Sequence, residues 1–152
     1  MFYTAADKHD YHELFSSAEH EINILSGIHD LEYAEVFIEA ACNFLSRPGS
    51  MLHLACQCGA EMSSCHIIQK ILAARHRQGT IMLYAAQDFR DEPYLIIADK
   101  SAYRMEIIEQ AETILDYDDQ EEAARLYAHF QHILSLSLLT AYRPPLQFSY
   151  LN

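Results

Sequence analysis

The fold prediction for this chain depends most on the segment Tyr94–Ile107, YLIIADKSAYRMEI. Tyr94–Ala98 is an apolar run, residues 99–101 carry the turn-forming sequence Asp-Lys-Ser, and Ala102–Ile107 returns as a second extended segment. Two strands joined by so short a turn must pair antiparallel. We therefore predict a β-hairpin here, and we expect the elements that precede it in the chain to pack against it.

Before the hairpin, helix and strand patterns alternate along the chain. Apolar residues recur at helical spacing in residues 10–18, from Asp30 to about Leu45, and from Ser63 or Ser64 to near Gly79. Strand patterns follow these helices at residues 21–27, 51–56 and 80–84. Asp10 and Asp30 are the predicted N-caps of the first two helices. Three such strands alternating with helices predict an α/β fold with neighbouring parallel strands.

After the hairpin, a polar connection extends to Tyr117 and a long helix follows it. Residues 119–122, Asp-Gln-Glu-Glu, have the spacing of a capping box at a helix start. The predicted apolar face of this helix comprises Ala123, Leu126, Tyr127, Phe130, Ile133 and Leu134.

The chain shows no repeat or low-complexity linker, so we predict one domain over residues 1–152. Its core spans about residues 10–137, and residues 138–152 form a C-terminal extension in which residues 146–150 alternate like an edge strand. The predicted fold class is α/β, with a mixed β-sheet flanked by helices.

Composition restricts the class of protein further. With 51% apolar residues, a chain of 152 residues can bury a full core. No apolar run approaches the ~20 residues that cross a bilayer. The N-terminal sequence MFYTAADKHD lacks the basic and apolar regions of a signal peptide. We therefore expect a cytoplasmic protein that does not bind membranes.

The charge of the chain is strongly acidic. Twenty-two acidic against ten basic residues give a formal net charge of −12. Such a field repels phosphate backbones, so we expect no direct binding of nucleic acid. The four cysteines follow no regular framework and fit a reducing compartment, so we predict no disulfides.

The order of strands, helices and hairpin, with Ile-Ile-Ala-Asp at residues 96–99, resembles one half of the phospholipase D superfamily fold. A closer similarity is to small bacterial phospholipase-D-like domains of unknown function. It rests on LIIADKSAYRME (Leu95–Glu106), LDYDDQEEAARLYAHF (Leu115–Phe130) and Ile-Leu at residues 133–134. The resemblance implies a single half of a phospholipase-D-like sandwich, and the family normally joins two halves to complete its site.

In that superfamily the corresponding strand carries His-x-Lys-x-x-x-x-Asp. The histidine attacks phosphorus, the lysine binds the phosphate oxygens, and the aspartate lies behind them. If Asp99 is matched to the family aspartate, Tyr94 stands at the lysine position and Glu92 at the histidine position. A glutamate places negative charge against a phosphodiester, and a tyrosine removes the neutralising cation. We therefore expect no phosphodiesterase activity at this strand.

The residues around the hairpin form a candidate cleft for a ligand, where the superfamily resemblance places its site. They are Glu92, Tyr94, Asp99, Tyr103, Arg104 and Glu106. One hypothesis is that Arg104 and Tyr103 bind an anionic or polar ligand. The alternative is that Arg104 forms an ion pair with a carboxylate while Asp99 only forms a turn. We assign no catalytic residue.

Histidines and cysteines suggest a metal site, but their spacing does not support one. His129 and His132, for example, lie three residues apart, a spacing that arises by chance on helix surfaces. Cys56, Cys58 and Cys65 follow no common zinc-binding spacing. We assign no metal and no cofactor.

Two charged segments are candidates for partner binding. The acidic candidates are Asp116, Asp118 and Asp119. Carboxylates at a helix start either cap free amides or present a surface to a basic protein partner. The basic candidates are Lys70, Arg75 and Arg77. They are either solvated or paired with acidic segments of a second copy in a homodimer.

Three hypotheses for function follow. The first is a catalytically inactive phospholipase-D-like domain that acts as a protein interaction or ligand-binding module, as a homodimer. The second is an acidic inhibitor or regulator of a nucleic-acid-handling protein. The third is an enzyme whose chemistry has moved, with Glu92 or Asp99 as the base and Arg104 holding an anion.

Overall fold

The structure, a computed structural model, describes residues 5–26, 35–57, 66–74, 76–89, 92–107 and 112–145. The helices are α1 (Ala5–Ser17), α2 (Glu35–Leu45), α3 (His66–Leu72) and α4 (Gln120–Ser135). The strands are β1 (Glu21–Ser26), β2 (Met51–Cys56), β3 (Thr80–Ala85), β4 (Tyr94–Ala98), β5 (Ala102–Ile107), β6 (Glu112–Asp116) and β7 (Leu138–Arg143).

The strands of the described residues form one seven-stranded mixed sheet, in the order β6-β5-β4-β1-β2-β3-β7. β1, β2 and β3 are parallel, with Ile22 opposite Leu52 and Leu52 opposite Ile81. The hairpin strand β4 pairs antiparallel with β1, where Leu95 stands opposite Leu25. β5 and β6 extend the sheet on that side, and β7 pairs antiparallel with β3 on the other. The chain therefore has the predicted α/β fold.

Helices α1, α2 and α3 cover one face of the sheet. Their apolar side chains, among them the fully buried Phe15 and Phe44, pack on Ile22, Leu52 and Leu54 of the central strands. Alternation along each strand sends these residues to one face and their neighbours to the other. This layer holds the larger of the two hydrophobic cores.

Helix α4 covers the opposite face. Asp119 caps the helix by accepting a hydrogen bond of 3.0 Å from the backbone N–H of Glu122. The buried residues of the helix recur every three or four positions and form one stripe. They are Ala123, Leu126, Phe130 and Ile133. α4 packs against β1, β4 and β5, so its layer is centred on the hairpin half of the sheet.

Most of the predicted elements are confirmed. Strands β1 to β5 lie where the pattern placed them, and β4 and β5 form the predicted antiparallel hairpin. The last helix has its predicted cap and buried face. Within the described residues, no helix is long and apolar enough to cross a membrane.

Two helix boundaries and two strands differ from the prediction. α1 begins at Ala5, so Asp10 lies inside the helix and is not its cap. α3 ends at Leu72 and not near Gly79. The segment predicted as a polar connection contains β6, and the predicted C-terminal extension contributes β7 to the sheet. The predicted helix starts at Asp30 and at Ser63 or Ser64, and the predicted strand at residues 146–150, lie outside the described residues.

Candidate functional site

The residues of the candidate cleft do not converge on one point. Glu92 precedes β4 at the end where Leu95 pairs with Leu25, whereas Asp99 follows β4 at the end where Ala98 pairs with Ile22. β4 has five residues, which at roughly 3.3 Å per residue separates its ends by about 16 Å. The positions matched to the family histidine and aspartate therefore lie at opposite ends of β4.

Asp99 joins the hairpin turn to the start of β1. Its carboxylate accepts hydrogen bonds from the backbone N–H groups of Glu19 (2.6 Å), His20 (2.9 Å) and Glu21 (2.9 Å). Its backbone φ is +53°, a conformation that aspartate tolerates better than most residues. Burial alone would raise the pKa of Asp99, but these three N–H groups outweigh it and lower that pKa. Asp99 is thus a structural anion.

Arg104 lies on the face of the sheet that α1 covers. Its side chain is only 4% exposed, and its guanidinium is 3.7 Å from the carboxylate of Asp10 and 3.5 Å from that of Glu106. The guanidinium also lies 4.9 Å from the centroid of the Tyr11 ring, within range of a cation–π interaction. The alternative is therefore confirmed for Arg104, which forms ion pairs, whereas Asp99 does more than form a turn, because its carboxylate also binds the backbone before β1.

The two tyrosines of the candidate cleft point to opposite faces. Tyr103 packs in the core under α4, where burial and then the negative charges of Asp116 and Asp119 raise its pKa. Tyr94 pairs with Glu106 across the hairpin. It lies two residues before Ile96, which belongs to the core on the α1 side, so strand alternation places Tyr94 on that side too. The structure therefore brings Arg104, Glu106 and Tyr94 to one face, and places Glu92 and Tyr103 with α4.

The acidic segment before α4 is largely engaged in local hydrogen bonds. The carboxylate of Asp116 accepts from the backbone N–H groups of Asp118 (2.8 Å) and Asp119 (2.9 Å), and Asp119 caps the helix. Among these three residues, only the side chain of Asp118 takes no hydrogen bond that shapes the helix start. Local capping accounts for two of the three predicted partner-binding carboxylates.

The predicted basic cluster does not form one surface. Arg77 is 3% exposed, and its Nη1 donates to the carbonyl oxygens of Gly79 (2.9 Å), Arg143 (3.2 Å) and Pro144 (2.8 Å). Its expected role as a surface cation is therefore wrong. Lys70 is exposed on α3, and Arg75 lies outside the described residues.

A pocket of about 170 Å³ lies between α4 and the hairpin half of the sheet. Its lining residues are Leu25, Glu92, Pro93, Leu95, Met105, Arg125, Leu126 and His129. Of the candidate cleft, only Glu92 belongs to it. The carboxylate Oε2 of Glu92 lies 3.0 Å from Nε2 of His129, forming a hydrogen-bonded pair at the rim.

The sequence did not point to Arg125 as a pocket residue, and His129 was considered only as a metal ligand. The available signal was their spacing of four residues, which places both on one side of α4. No sequence pattern indicated that this side faces Glu92, because the contact joins residues 37 positions apart.

Apolar side chains remain exposed on the half of the sheet away from β4 and β5, against which α4 packs. We define the open face as Met51 and His53 of β2, Met82 and Tyr84 of β3, and Leu139 and Tyr142 of β7. Strand alternation and the pairing of Met82 with Tyr142 and of Tyr84 with Leu139 place them on the α4 side. Met51, Leu139 and Tyr142 are 37%, 45% and 52% exposed, and the other three are half-buried.

A polar chain borders the open face. Nδ1 of His53 lies 2.8 Å from Oδ1 of the buried Asn23, whose Nδ2 donates to Glu21 at 3.3 Å. Because Oδ1 only accepts, His53 carries a proton on Nδ1. Burial lowers the pKa of His53, and the negative charge of Glu21 opposes this lowering. His53 is therefore neutral at pH 7.

Comparison with known proteins supports the fold. No protein-family model and no curated protein matches the chain. Among solved structures, the chain is similar to TrmBL2, an archaeal chromatin protein whose structure shows a novel mode of DNA binding, with 14% sequence identity and a TM-score of 0.59. The match covers 91% of this chain and 52% of TrmBL2, so the chain spans about half the length of that protein. At this identity the likeness establishes the α/β fold alone.

Proposed function

We propose that this chain is a non-catalytic phospholipase-D-like domain that acts as an interaction module and pairs with a second copy through the open face. The observation that carries the proposal is the gathering of exposed apolar side chains on that face and on the edge strand β7. Edge strands are normally protected by charge or by a covering element. Contiguous exposed apolar surface of this kind marks interaction sites.

Absence of phosphodiesterase activity follows from the groups at the aligned positions. Glu92 pairs with His129, and a tyrosine stands where the family has its lysine. Asp99 is held by three backbone N–H groups at the other end of β4. A phosphodiester would therefore meet a carboxylate where it needs a nucleophile and a cation.

A second copy is the partner that the charge of the chain favours. None of the six side chains of the open face is charged at neutral pH, whereas the chain carries a net charge of −12. Two copies that meet through this face bury apolar surface and keep their carboxylates apart. The pairing is isologous, because each copy offers the same surface about a two-fold axis. This replaces the predicted pairing through Arg77, which is buried.

Light scattering over a range of concentrations tests the proposal. Wild type should have twice the 17.5 kDa chain mass, and Leu139→Glu and Tyr142→Glu should shift it towards the monomer, because each places a charge in the apolar interface. The matched control is Ala128→Glu, which adds the same charge at an exposed position of α4 and should leave the dimer intact. A wild-type monomer at all concentrations contradicts the proposal.

Direct DNA binding of the kind described for TrmBL2 is not part of this proposal, because a net charge of −12 repels the phosphate backbone. A mobility-shift experiment at low salt, where such binding is strongest, should show no complex. The hypothesis of an acidic regulator stays a prediction that rests on Asp118 and the overall charge. The hypothesis of relocated enzyme chemistry is weakened, because the lowered pKa of Asp99 makes it a poor base.

A further inference from the structure

The pocket under α4 has an apolar floor to which β1, β4, β5 and α4 contribute. Leu25 of β1, Leu95 of β4 and Leu126 of α4 are buried, and Met105 of β5 and Pro93 complete the lining. Ligand sites in α/β sheets lie beyond the carboxyl ends of parallel strands, and Leu25 is the penultimate residue of β1. The floor is therefore preformed and stands where this type of sheet binds ligands.

The rim of the pocket carries one carboxylate and one guanidinium. Oε2 of Glu92 is bonded to His129, and Nε and the second terminal nitrogen of Arg125 are bonded to Glu122. Among the described residues, Oε1 of Glu92 and Nη1 of Arg125 have no hydrogen-bond partner. Arg125 and His129 are one helical turn apart, so His129 holds the carboxylate about one turn from the guanidinium.

A hydrogen bond from Gln57 fixes the backbone at Glu92. Gln57, which is 5% exposed, donates from Nε2 to the backbone carbonyl oxygen of Glu92 at 3.1 Å. Because this side-chain amide is buried and hydrogen-bonded to a backbone carbonyl, it holds the segment before β4 in place. Together with the contact to His129, this bond orients the Glu92 carboxylate at the rim.

We propose that this pocket binds a small zwitterion with an apolar body, the chemistry of an apolar α-amino acid. The ligand carboxylate accepts from Nη1 of Arg125, its ammonium donates to Oε1 of Glu92, and its apolar side chain lies on the leucine and methionine floor. A pocket of about 170 Å³ is many times larger than the roughly 10–15 Å³ that one water requires, so it can admit a small apolar side chain.

Both ligand charges are needed for recognition. A simple anion would approach Arg125 but also meet the carboxylates of Glu92 and Glu122. A simple cation would approach Glu92 but lie near the guanidinium of Arg125. Only a ligand that carries both charges can place its carboxylate next to Arg125 and its ammonium next to Glu92. This site is separate from the open face and does not depend on pairing of two copies.

Thermal unfolding of the full chain with matched ligands tests the proposal. The probes are L-leucine and L-methionine at millimolar concentration, with 4-methylpentanoate as leucine lacking its ammonium and isopentylamine as leucine lacking its carboxylate. At least one amino acid should raise Tm by roughly 2–4 °C. Each truncated analogue should bind at least tenfold more weakly by calorimetry.

Variants at the rim complete the test. Glu92→Gln and Arg125→Gln should each remove the amino-acid shift, and the Tm of each variant without ligand shows that it is folded. Arg125 is 64% exposed, so its replacement should leave folding intact. The control Glu121→Gln, at an exposed position outside the lining, should keep the shift. No shift with either amino acid, equal binding of the analogues, or a shift that survives both rim variants would overturn the proposal.

Discussion

The buried guanidinium of Arg77 donates a hydrogen bond of 2.8 Å to the carbonyl oxygen of Pro144, 67 residues further along the chain. The same nitrogen donates to the carbonyl oxygens of Gly79 and Arg143, which flank β3 and end β7. One side chain therefore holds the last strand of the sheet in place. Because that strand carries Leu139 and Tyr142, this contact also builds the open face.

Replacing Arg77 by methionine should lower the free energy of unfolding by about 3 kcal/mol. Three carbonyl oxygens lose a charged donor, one in a buried hydrogen bond and two in part-buried ones. Hydrogen bonds to charged groups contribute roughly 1.5–3 kcal/mol each without being additive. Urea denaturation followed by circular dichroism measures the change.

Lys70→Met is the matched control for Arg77, because Lys70 is a cation exposed on the neighbouring helix α3. Its effect should stay within about 0.5 kcal/mol, as for most surface substitutions. Equal effects of the two substitutions would mean that Arg77 does not hold the strand.

Asp99→Asn should destabilise the fold by about 1–2 kcal/mol at pH 7, because three backbone N–H groups lose a charged acceptor. Asparagine tolerates the positive φ at this position, so the substitution isolates the charge. The folded-state pKa of Asp99 is below its ordinary value of 3.8. Its contribution is therefore complete above the unfolded pKa and is lost as pH falls through the folded pKa.

Chemical denaturation from pH 2.5 to pH 7 measures this dependence. The stability difference between wild type and Asp99→Asn should be greatest at pH 7 and should shrink below about pH 4. Asp118→Asn is the control, since Asp118 is exposed and its side chain accepts none of the hydrogen bonds around α4. A constant difference across the pH range would show that the charge of Asp99 is not what stabilises the turn.

The sequence predicted those parts of the fold in which local pattern and burial coincide. The hairpin at Tyr94–Ile107 was predictable because its apolar runs and turn are adjacent, and α4 because Asp119 and the apolar stripe agree. Strand β7 was missed because its side chains are mostly exposed and its place depends on the distant Arg77. β7 therefore lacks the alternation of buried and exposed residues on which strand prediction relies.

The candidate site was harder to predict for a geometric reason. Glu92 and Asp99 are close in sequence, but the five-residue strand β4 lies between them and places them at its opposite ends. Strand alternation also separates Tyr103 from Arg104. The pair of Glu92 and His129 depends on how α4 crosses the sheet, which no local pattern encodes.

Stability should fall as pH drops below about 6.5, partly because of His53. Burial lowers its folded-state pKa, so the unfolded chain binds a proton at a higher pH than the folded chain does. The full contribution is present above the unfolded pKa and is lost as pH falls towards the folded pKa. In His53→Gln, which keeps a donor for Asn23, the decline between pH 6.5 and pH 5 should be shallower. His132→Gln, on the exposed side of α4, should behave as wild type, and an unchanged slope in His53→Gln would contradict this account.

Pairing through the open face should make thermal stability depend on protein concentration. Mass action stabilises a folded dimer as the concentration rises, and a tenfold increase contributes about 1.4 kcal/mol, or roughly 2–4 °C in Tm for a chain of this size. Scanning calorimetry of wild type and Tyr142→Glu over a hundredfold range of concentration measures it. Wild type should gain Tm with concentration, whereas Tyr142→Glu should not, because its charge would be buried at the two-fold interface. A wild-type Tm that stays constant over this range would mean that Leu139 and Tyr142 face solvent in the native protein, and their exposure would then need a partner other than a second copy.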